Sequence, residues 1–314
     1  MKLQQLRYLC EVARRDLSVS AAAEALHTSQ PGVSKQVKAL EDELGIEVFV
    51  RHGKRIVAVT EPGKAVVEIA ERILAEAANL KRAGEEFANQ KLGTLTVATT
   101  HTQARYALPR AVAAFKKRYP KVRLTLHQGN PTQICEMVLS GEADLAIATE
   151  SIAEFPGLVS MPCYQWNRCV VVPPGHPLAK AKPLTLEAIA QYPVVTYDTA
   201  FAGRSVINKA FEKRGLVPNV VLTALDSDVI KTYVELGLGV GILAAMSFDA
   251  KRDRGLVALD AGHLFESSTT RLGVKRGAWL RGYVYEFIEL FAPTLTRRIV
   301  EKTVMEKPGS AYEL

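Results

Sequence analysis

The chain has 314 residues, more than one compact domain usually holds, so two or three domains with a substantial core are expected. Hydrophobic residues at 48% and charged residues at 23% describe an ordinary globular protein. The net charge of +7 and the pI near 9.2 favour an anionic partner without naming one. The four cysteines are too sparse for a disulfide scaffold, and without CxxC or paired-histidine spacing they predict no metal site.

Two absences in the sequence predict where the protein acts. The segment 1–16 carries Lys2, Glu11, Arg14 and Arg15 among its apolar residues, so it lacks the uninterrupted core of a secretory signal. Nowhere does the sequence contain the run of about 18 apolar residues that a membrane-spanning helix needs. We therefore expect a cytoplasmic protein without a membrane partner.

Residues 20–55 begin with two short helical patterns across a polar break. The first follows Ser20, a predicted N-cap. The second opens at Ser29, Gln30 and Pro31 and ends at Gly45, because proline suits a first helical turn and glycine suits a helix end. Its apolar positions recur at spacings of three and four, at Val33, Val37, Leu40 and Leu44. An earlier stripe predicts a further helix and so a three-helix unit, at Leu3, Leu6, Leu9, Cys10 and Ala13.

The opposite face of the second of these two helices carries Gln30, Ser34, Lys35 and Lys38. Such a row of hydrogen-bonding and basic side chains can lie in the major groove of DNA and contact base edges and phosphates. A helical hairpin with a merely solvated face has the same pattern, so the pattern alone leaves both interpretations open.

Residues 48–60 contain two β-prone runs joined by a basic, glycine-containing turn, which predicts a hairpin. Arg51, Lys54 and Arg55 near its tip suit the wing of a winged helix-turn-helix, where cations contact phosphates and add salt-dependent affinity. Charged hairpin tips are often only solvated turns, and that alternative stays open.

A long helical pattern follows from Pro62, with an apolar seam of period 3.5 and Glu76 as its polar exception. The seam consists of Val66, Ile69, Ile73, Leu80, Ala83 and Phe87. So narrow an apolar stripe favours pairing with the same helix of a second copy of the chain. Such a pair would place the N-terminal helical units of both copies on successive turns of DNA. The alternative is a helix packed on its own chain.

From Gly93 strands and helices alternate, which predicts mainly parallel sheets covered by helices in two α/β lobes. We expect strands at 95–99, 122–127, 144–148, 168–172, 193–197 and 220–222. We expect helices at 108–120, 133–143, 204–214 and 229–236. A strand at 269–274 is expected to return to the first lobe, before a closing helix at 283–291 and a frayed tail from Lys302.

The stretch AAAEALHTSQPGVSKQVKALEDELG, the following VFVRHGKRIVAVTEPG, the long helix and the two lobes together resemble LysR-type transcriptional regulators. The resemblance implies a multidomain fold: a helical winged helix-turn-helix head (1–60), a dimerising linker helix (61–91), an effector domain similar to periplasmic binding proteins (92–300) and a tail (301–314). Lobe I spans about 92–162 and 267–300, and lobe II about 163–266. The implied partners are promoter DNA, RNA polymerase and further copies, as a homodimer assembling into a homotetramer. The implied DNA-binding residues are Ser29, Gln30, Pro31, Ser34, Lys35, Lys38, Arg51, Lys54 and Arg55.

Within that family the likeness is to the CysB-like branch of sulfur assimilation and cysteine biosynthesis activators. It is carried by TTHTQARYALP, LHQGNPTQI, ADLAIATE, YQWNR and YDTAFAGR. It implies N-acetylserine or O-acetylserine as effector, with sulfate as a further occupant and no cofactor. A paralogue controlling sulfonate or taurine use would carry the same stretches.

The expected effector site lies beyond the carboxyl ends of the strands, where open α/β sheets bind ligands. Thr100, Thr102 and Gln103 follow such a strand and open a helix, whose free amide hydrogens favour an anion. The spacing of Thr100 and Gln103 also fits an ordinary capping box. The remaining candidates are Thr149, Glu150, Trp166, Thr199, Phe201, Ala202 and Gly203, with Arg204 as the nearest cation.

Two other functions would fit parts of the chain. Two α/β lobes alone suit a solute-binding protein, although the missing signal and the basic head argue against it. An enzyme would need a catalytic cluster, and the histidines at 27, 52, 101, 127, 176 and 263 form no recognisable local motif.

Overall fold

The computed structural model describes residues 1–53, 55–153, 155–199 and 202–305, with residue 202 described by its backbone alone. The chain separates into two units, Met1–Ala88 and Asn89–Leu314. The first is the predicted head with its long helix, and the second contains both α/β lobes.

The first unit is helical with one short antiparallel hairpin. Its elements are α1 (Leu3–Arg14), α2 (Val19–Ala25), α3 (Gln30–Leu44), β1 (Phe49–His52), β2 (Arg55–Val59) and α4 (Glu61–Ala88). The apolar stripes of the three short helices meet around Leu9, Val33, Val37 and Leu40, each almost fully buried. Phe49 of the hairpin closes this core from the side.

The ends of α3 follow the expected signals, whereas the start of α2 does not. Ser29 caps α3 by accepting a hydrogen bond from the Gly32 amide at 3.3 Å, and Gly45 ends it with φ +68°. The prediction for α2 was wrong: Ser18, not Ser20, is the N-cap. A Ser18 cap leaves Ser20 inside the first turn. Leu3 and Leu44 were also predicted to belong to the apolar stripes, but both are exposed at helix ends.

Lobe I is built on a five-stranded sheet of order β4-β3-β5-β12-β6. Its elements are β3 (Gly93–Thr99), a π-helical turn (Gln103–Ala107), α5 (Leu108–Arg118), β4 (Val122–Gln128), α6 (Pro131–Ser140), β5 (Leu145–Ala148) and β6 (Leu158–Trp166). The chain returns from lobe II in β12 (Ser268–Lys275), followed by α10 (Gly282–Phe291) and α11 (Arg297–Met305). Strands β4, β3 and β5 run parallel, and β12 is antiparallel to both β5 and β6.

Lobe II repeats this plan with the sheet order β11-β7-β10-β8-β9. Its elements are β7 (Arg168–Val172), α7 (Leu186–Ile189), β8 (Val194–Tyr197), α8 (Ala202–Glu212), β9 (Val220–Ala224), α9 (Ser227–Glu235), β10 (Val240–Ala244) and β11 (Val257–Asp260). Strands β9, β8 and β10 are parallel, while β7 is antiparallel to β10 and β11. Both sheets are therefore mixed rather than mainly parallel.

Three parts of the second unit differ from expectation. Strand β6 was missed because its Pro and polar residues break the apolar run, and its length places Trp166 in lobe I before the crossover, not after it. Strand β11 was missed as well. The prediction that the tail is frayed is wrong as far as Met305, because α11 buries Thr303 and Val304 against lobe I. Residues 306–314 of that tail lie outside the described residues.

None of the helices in the described ranges is long and apolar enough to cross a membrane.

Candidate functional sites in the head and the cleft

The polar face of α3 is accessible to a large partner. Ser29, Gln30, Pro31, Ser34, Lys35 and Lys38 are all exposed, while the opposite face of the helix is buried. A groove of about 330 Å³ runs between α3 and the hairpin, and Gln30, Ser34, Lys38, Arg51 and Gly53 line it. The fold thus gathers residues of the expected recognition helix and of the expected wing on one surface. Arg55 is exposed at the start of β2, and Lys54 lies outside the described residues.

Arg51 is held by a carboxylate that the sequence reasoning missed. Glu41, only 1% exposed, pairs with the Arg51 guanidinium at 2.7 Å. The other oxygen of Glu41 accepts hydrogen bonds from the Val48 and Phe49 amides at 2.9 and 3.1 Å. The carboxylate therefore joins the end of α3 to the first strand of the hairpin. Its only sequence signal was an acidic residue on the otherwise apolar stripe between Val37 and Leu44.

The junction between the hairpin and α4 explains why the stretch VFVRHGKRIVAVTEPG ends with a threonine, Thr60, three residues before a glycine, Gly63. The Thr60 hydroxyl donates to the Glu47 carbonyl at 2.7 Å and accepts from the Gly63 amide at 2.9 Å. A Cβ on Gly63 would lie 2.2 Å from the Val48 carbonyl oxygen. Only glycine lets the first turn of α4 approach the hairpin this closely.

The apolar seam of α4 divides into two parts. Val66 and Ile73 pack against the core of the head, and the neighbouring Ala70 is fully buried there. Leu80 and Phe87 farther along are 76% and 81% exposed. Packing on the same chain therefore accounts for the beginning of the seam, and its later part remains open to a partner.

In the second unit, Thr100, Thr102 and Gln103 lie at the carboxyl end of β3, as expected. Thr100 is buried and Thr102 half-buried, and neither hydroxyl bonds another described residue. The side chain of Gln103 is not oriented as in a capping box. Its side-chain N–H donates to the Thr270 hydroxyl at 3.0 Å, and its side-chain oxygen accepts from the Tyr164 hydroxyl at 2.6 Å. The two threonines are thus available to a ligand, and Gln103 is fixed behind them.

Thr149 and Glu150 follow β5, the strand that pairs with β3. One carboxylate oxygen of Glu150 accepts a hydrogen bond from the Thr269 amide, while the other is buried without a partner among the described residues. A buried acceptor of this kind suits a ligand amide or hydroxyl and disfavours a second anion.

Trp166 and Arg168 flank the crossover between the lobes. The guanidinium of Arg168 lies 5.2 Å from the Trp166 ring, donates to Ser268 of lobe I at 2.8 Å, and is fully buried. It also reaches the Gly203 carbonyl of lobe II at 3.5 Å. Burial lowers the pKa of Arg168, with the charges of Tyr197 and Glu150 opposing this effect. The Trp166 indole N–H and the Arg168 Nε–H are buried donors with no described partner. Sequence reasoning missed Arg168, which looked like the first residue of an ordinary strand.

The segment 199–204 is described only in part, so its predicted contact with an effector stays a prediction. Thr199 is exposed, Gly203 contributes its carbonyl to Arg168, Phe201 lies outside the described residues, and the side chain of Ala202 is not described. Arg204 is not a free cation, because its guanidinium donates to the Tyr197 carbonyl at 3.1 Å and to Asn208 at 2.7 Å.

Neither a metal site nor a reactive thiol emerges from the described residues. His101, Asp226 and Asp228 offer ligand atoms within 4.8 Å of one another, but Arg105 pairs with Asp228 at 2.8 Å and Lys231 lies 3.3 Å from it. These cations already neutralise Asp228, so the group does not fit a divalent metal. Burial raises the pKa of all four thiols, to about 11 for Cys10 and Cys135 and about 12 for Cys163 and Cys169, which disfavours the nucleophilic thiolate.

Comparison with known proteins decides the family. A model described as a bacterial regulatory helix-turn-helix protein of the lysR family matches residues 3–64, and a LysR substrate binding domain matches residues 88–296. The chain belongs to the LysR family. As a LysR regulator it is a DNA-binding transcription factor with an effector-binding domain, and it is not an enzyme.

Individual LysR regulators match along almost the whole chain. The HTH-type transcriptional regulator CysB of Burkholderia cenocepacia is 55% identical over 314 residues, covering 100% of both chains. SsuR of the same species is 57% identical over 295 residues, covering 94% of this chain and 96% of SsuR. The crystal structure of the cofactor-binding domain of Cbl is 46% identical with a TM-score of 0.67, covering 70% of this chain and 96% of that domain. These relatives support the CysB-like branch.

Proposed function

We propose that the protein regulates sulfur assimilation and cysteine biosynthesis genes in response to N-acetylserine or O-acetylserine, with sulfate as a further occupant of the site. The observation that carries the proposal is the 55% sequence identity to CysB over the full length of both chains. The second unit contains groups of the right chemistry. Thr100 and Thr102 stand at a helix start that favours a carboxylate or sulfate, and Glu150 and Trp166 offer a buried acceptor and donor to an amide or hydroxyl.

A sulfonate-responsive regulator is the second candidate, because SsuR matches with similar identity and coverage. A sulfonate would use the same threonines but has no amide for Glu150. The two candidates therefore differ in whether the buried Glu150 oxygen is used by the ligand.

The proposed assembly is a homodimer that associates into a homotetramer on promoter DNA and acts on RNA polymerase. The exposed part of the α4 seam supports pairing of two copies. Exposed apolar residues on and beside the edge strand β9, including Val221 and Leu225, offer a further surface for association. In this proposal the effector changes the arrangement of lobes and protomers, and it acts through different affinities for two states.

Calorimetric titration of the full chain with N-acetylserine, O-acetylserine, sulfate, thiosulfate and taurine tests the effector. We expect heat from an acetylserine or sulfate, and about tenfold weaker binding in Thr100→Val, because a hydrogen bond to a charged ligand is lost. Thr94→Val, at the exposed other end of β3, is the matched control and should bind as the parent does. Response to taurine alone would favour the sulfonate regulator, and silence for all five compounds would refute both.

A further inference from the structure

A tyrosine of lobe I bridges two charged residues of lobe II at the edge of the cleft. The Tyr106 hydroxyl donates to the Asp228 carboxylate at 2.7 Å and accepts from the Lys231 ammonium at 3.0 Å. Tyr106 belongs to the π-helical turn after β3, and both partners belong to α9. This hydroxyl group therefore connects the lobes at a place apart from the crossovers beside Trp166 and Ser268, where Arg168 also joins them.

Lys231 is anchored in lobe II before it reaches Tyr106. Its side chain is 8% exposed, and its ammonium donates to the Ser247 carbonyl at 2.9 Å and to both oxygens of Asp253 at 3.0 and 3.1 Å. Burial lowers the pKa of Lys231, but the hydrogen bonds to Tyr106 and Asp253 outweigh it and leave the pKa above its ordinary value. Burial also raises the pKa of Tyr106. At neutral pH the bridge thus joins a fixed ammonium to a protonated hydroxyl.

The neighbouring contact between the π-helical turn and α9 is more exposed. Arg105 pairs with the other oxygen of Asp228 at 2.8 Å, but its side chain is 49% exposed, so water and salt weaken the pair. His101 lies farther off, with Nδ1 3.9 Å from Asp228 and 4.0 Å from Asp226. The half-buried Tyr106 bridge is therefore expected to contribute more than either of these contacts.

The bridge shares a helical segment with the candidate effector residues. Thr100 and Thr102 lie immediately before the π-helical turn, Gln103 anchors the turn to lobe I, and Tyr106 leaves it toward lobe II. π-helical turns are rare, short segments that frequently occur at functional sites. Only a few residues of backbone therefore separate the threonines from Tyr106.

We propose that Tyr106 and Lys231 are positioning residues that hold the two lobes together and so set the fraction of protein in the arrangement that binds effector. Neither residue needs to touch the ligand, because apparent affinity falls with the fraction of the competent state. The statement about ligand affinity rests on the proposed function. The coupling between the lobes does not, and it is measurable without ligand.

Hydrogen exchange of the full-length protein without ligand tests the coupling. Tyr106→Phe keeps the ring and removes the hydroxyl, and Lys231→Met removes the charge. In each variant we expect about tenfold faster exchange in both 101–108 and 226–235, as loss of a hydrogen bond to a charged group predicts. The double variant should add little to either single one. Tyr285→Phe is the matched control, because this buried lobe I tyrosine forms no described hydrogen bond with its hydroxyl.

The exchange pattern separates coupling from local damage. Faster exchange confined to the lobe that carries the substitution, or an additive double variant, would overturn the proposal. Tyr106→Phe guards against misfolding of Lys231→Met, since it leaves the Asp253 pair intact. Titration with N-acetylserine adds the ligand measurement: if the parent protein binds none, the proposed effector fails while the exchange result still decides the coupling.

Discussion

At the scale of single residues, Glu41 organises the surface expected to contact DNA. Its carboxylate is buried, satisfies two amides of the hairpin and holds Arg51 beside α3. A buried carboxylate is tolerated only when its charge and its lone pairs are matched, as they are here. Arg51 therefore positions the wing as well as adding charge to the groove. Whether it also contacts phosphate stays a prediction.

Replacing Glu41 with Gln should destabilise the head by about 2 kcal/mol, because the amide cannot pair with Arg51 and is a weaker acceptor for the two amides. Protection of the slowest-exchanging amides of α3 measures this change. Asp42→Asn, next in sequence, removes only an exposed pair with Lys38 and should change stability by less than about 0.5 kcal/mol. Equal effects of the two substitutions would contradict a special role for Glu41.

At the scale of elements, α4 serves two purposes along one apolar seam. Its beginning completes the core of the head through Val66, Ala70 and Ile73, and its later part leaves Leu80 and Phe87 exposed. Exposed leucine and phenylalanine at heptad spacing are the pattern by which helices pair. A partner helix is expected because it would bury the apolar side chains that this later part of the seam leaves exposed.

Leu80→Glu should shift the protein from dimer toward monomer in sedimentation velocity, because it places a charge in the centre of the proposed helix pair. Ala78→Glu is the control, since residue 78 is exposed and lies opposite the seam. We expect the control to sediment as the parent does. An unchanged Leu80→Glu distribution would show that α4 does not form the interface.

At the scale of the whole molecule, the residues predicted to bind DNA and those predicted to bind effector lie in separate units. The exposed face of α3 belongs to Met1–Ala88, and the candidate cleft belongs to Asn89–Leu314. Each unit has its own buried core. A substitution on the surface of one unit is therefore expected to leave the chemistry of the other intact.

Lys35→Ala should weaken promoter binding in a gel shift and lower the slope of log affinity against log salt by about 0.9, the value for one lost phosphate contact on duplex DNA. Effector titration of the same variant should be unchanged. Lys117→Ala, an exposed lysine of α5 in the other unit, serves as the control and should alter neither measurement. Equal loss of both activities in Lys35→Ala, or loss of neither, would contradict the separation.

In the candidate cleft, some residues could be placed from the sequence and others could not. The positions of Thr100, Thr102, Thr149 and Glu150 at the carboxyl ends of neighbouring strands were predicted correctly, because residues after parallel strands gather at one edge of a sheet, which is a local rule. Their contact with an effector stays a prediction. Arg168 was missed, because its partners Gly203 and Ser268 lie 35 and 100 residues away and no local pattern links them.

The sequence by itself determined the helical head, the long seam, the alternation of strands and helices and the family resemblance, because periodicity, capping and turn chemistry act over a few residues. Only the tertiary structure decided which polar groups meet. Glu41 with Arg51 in the head and Tyr106 with Asp228 and Lys231 across the cleft are contacts between distant segments. Such pairs depend on how completed elements pack, and burial gives them their strength.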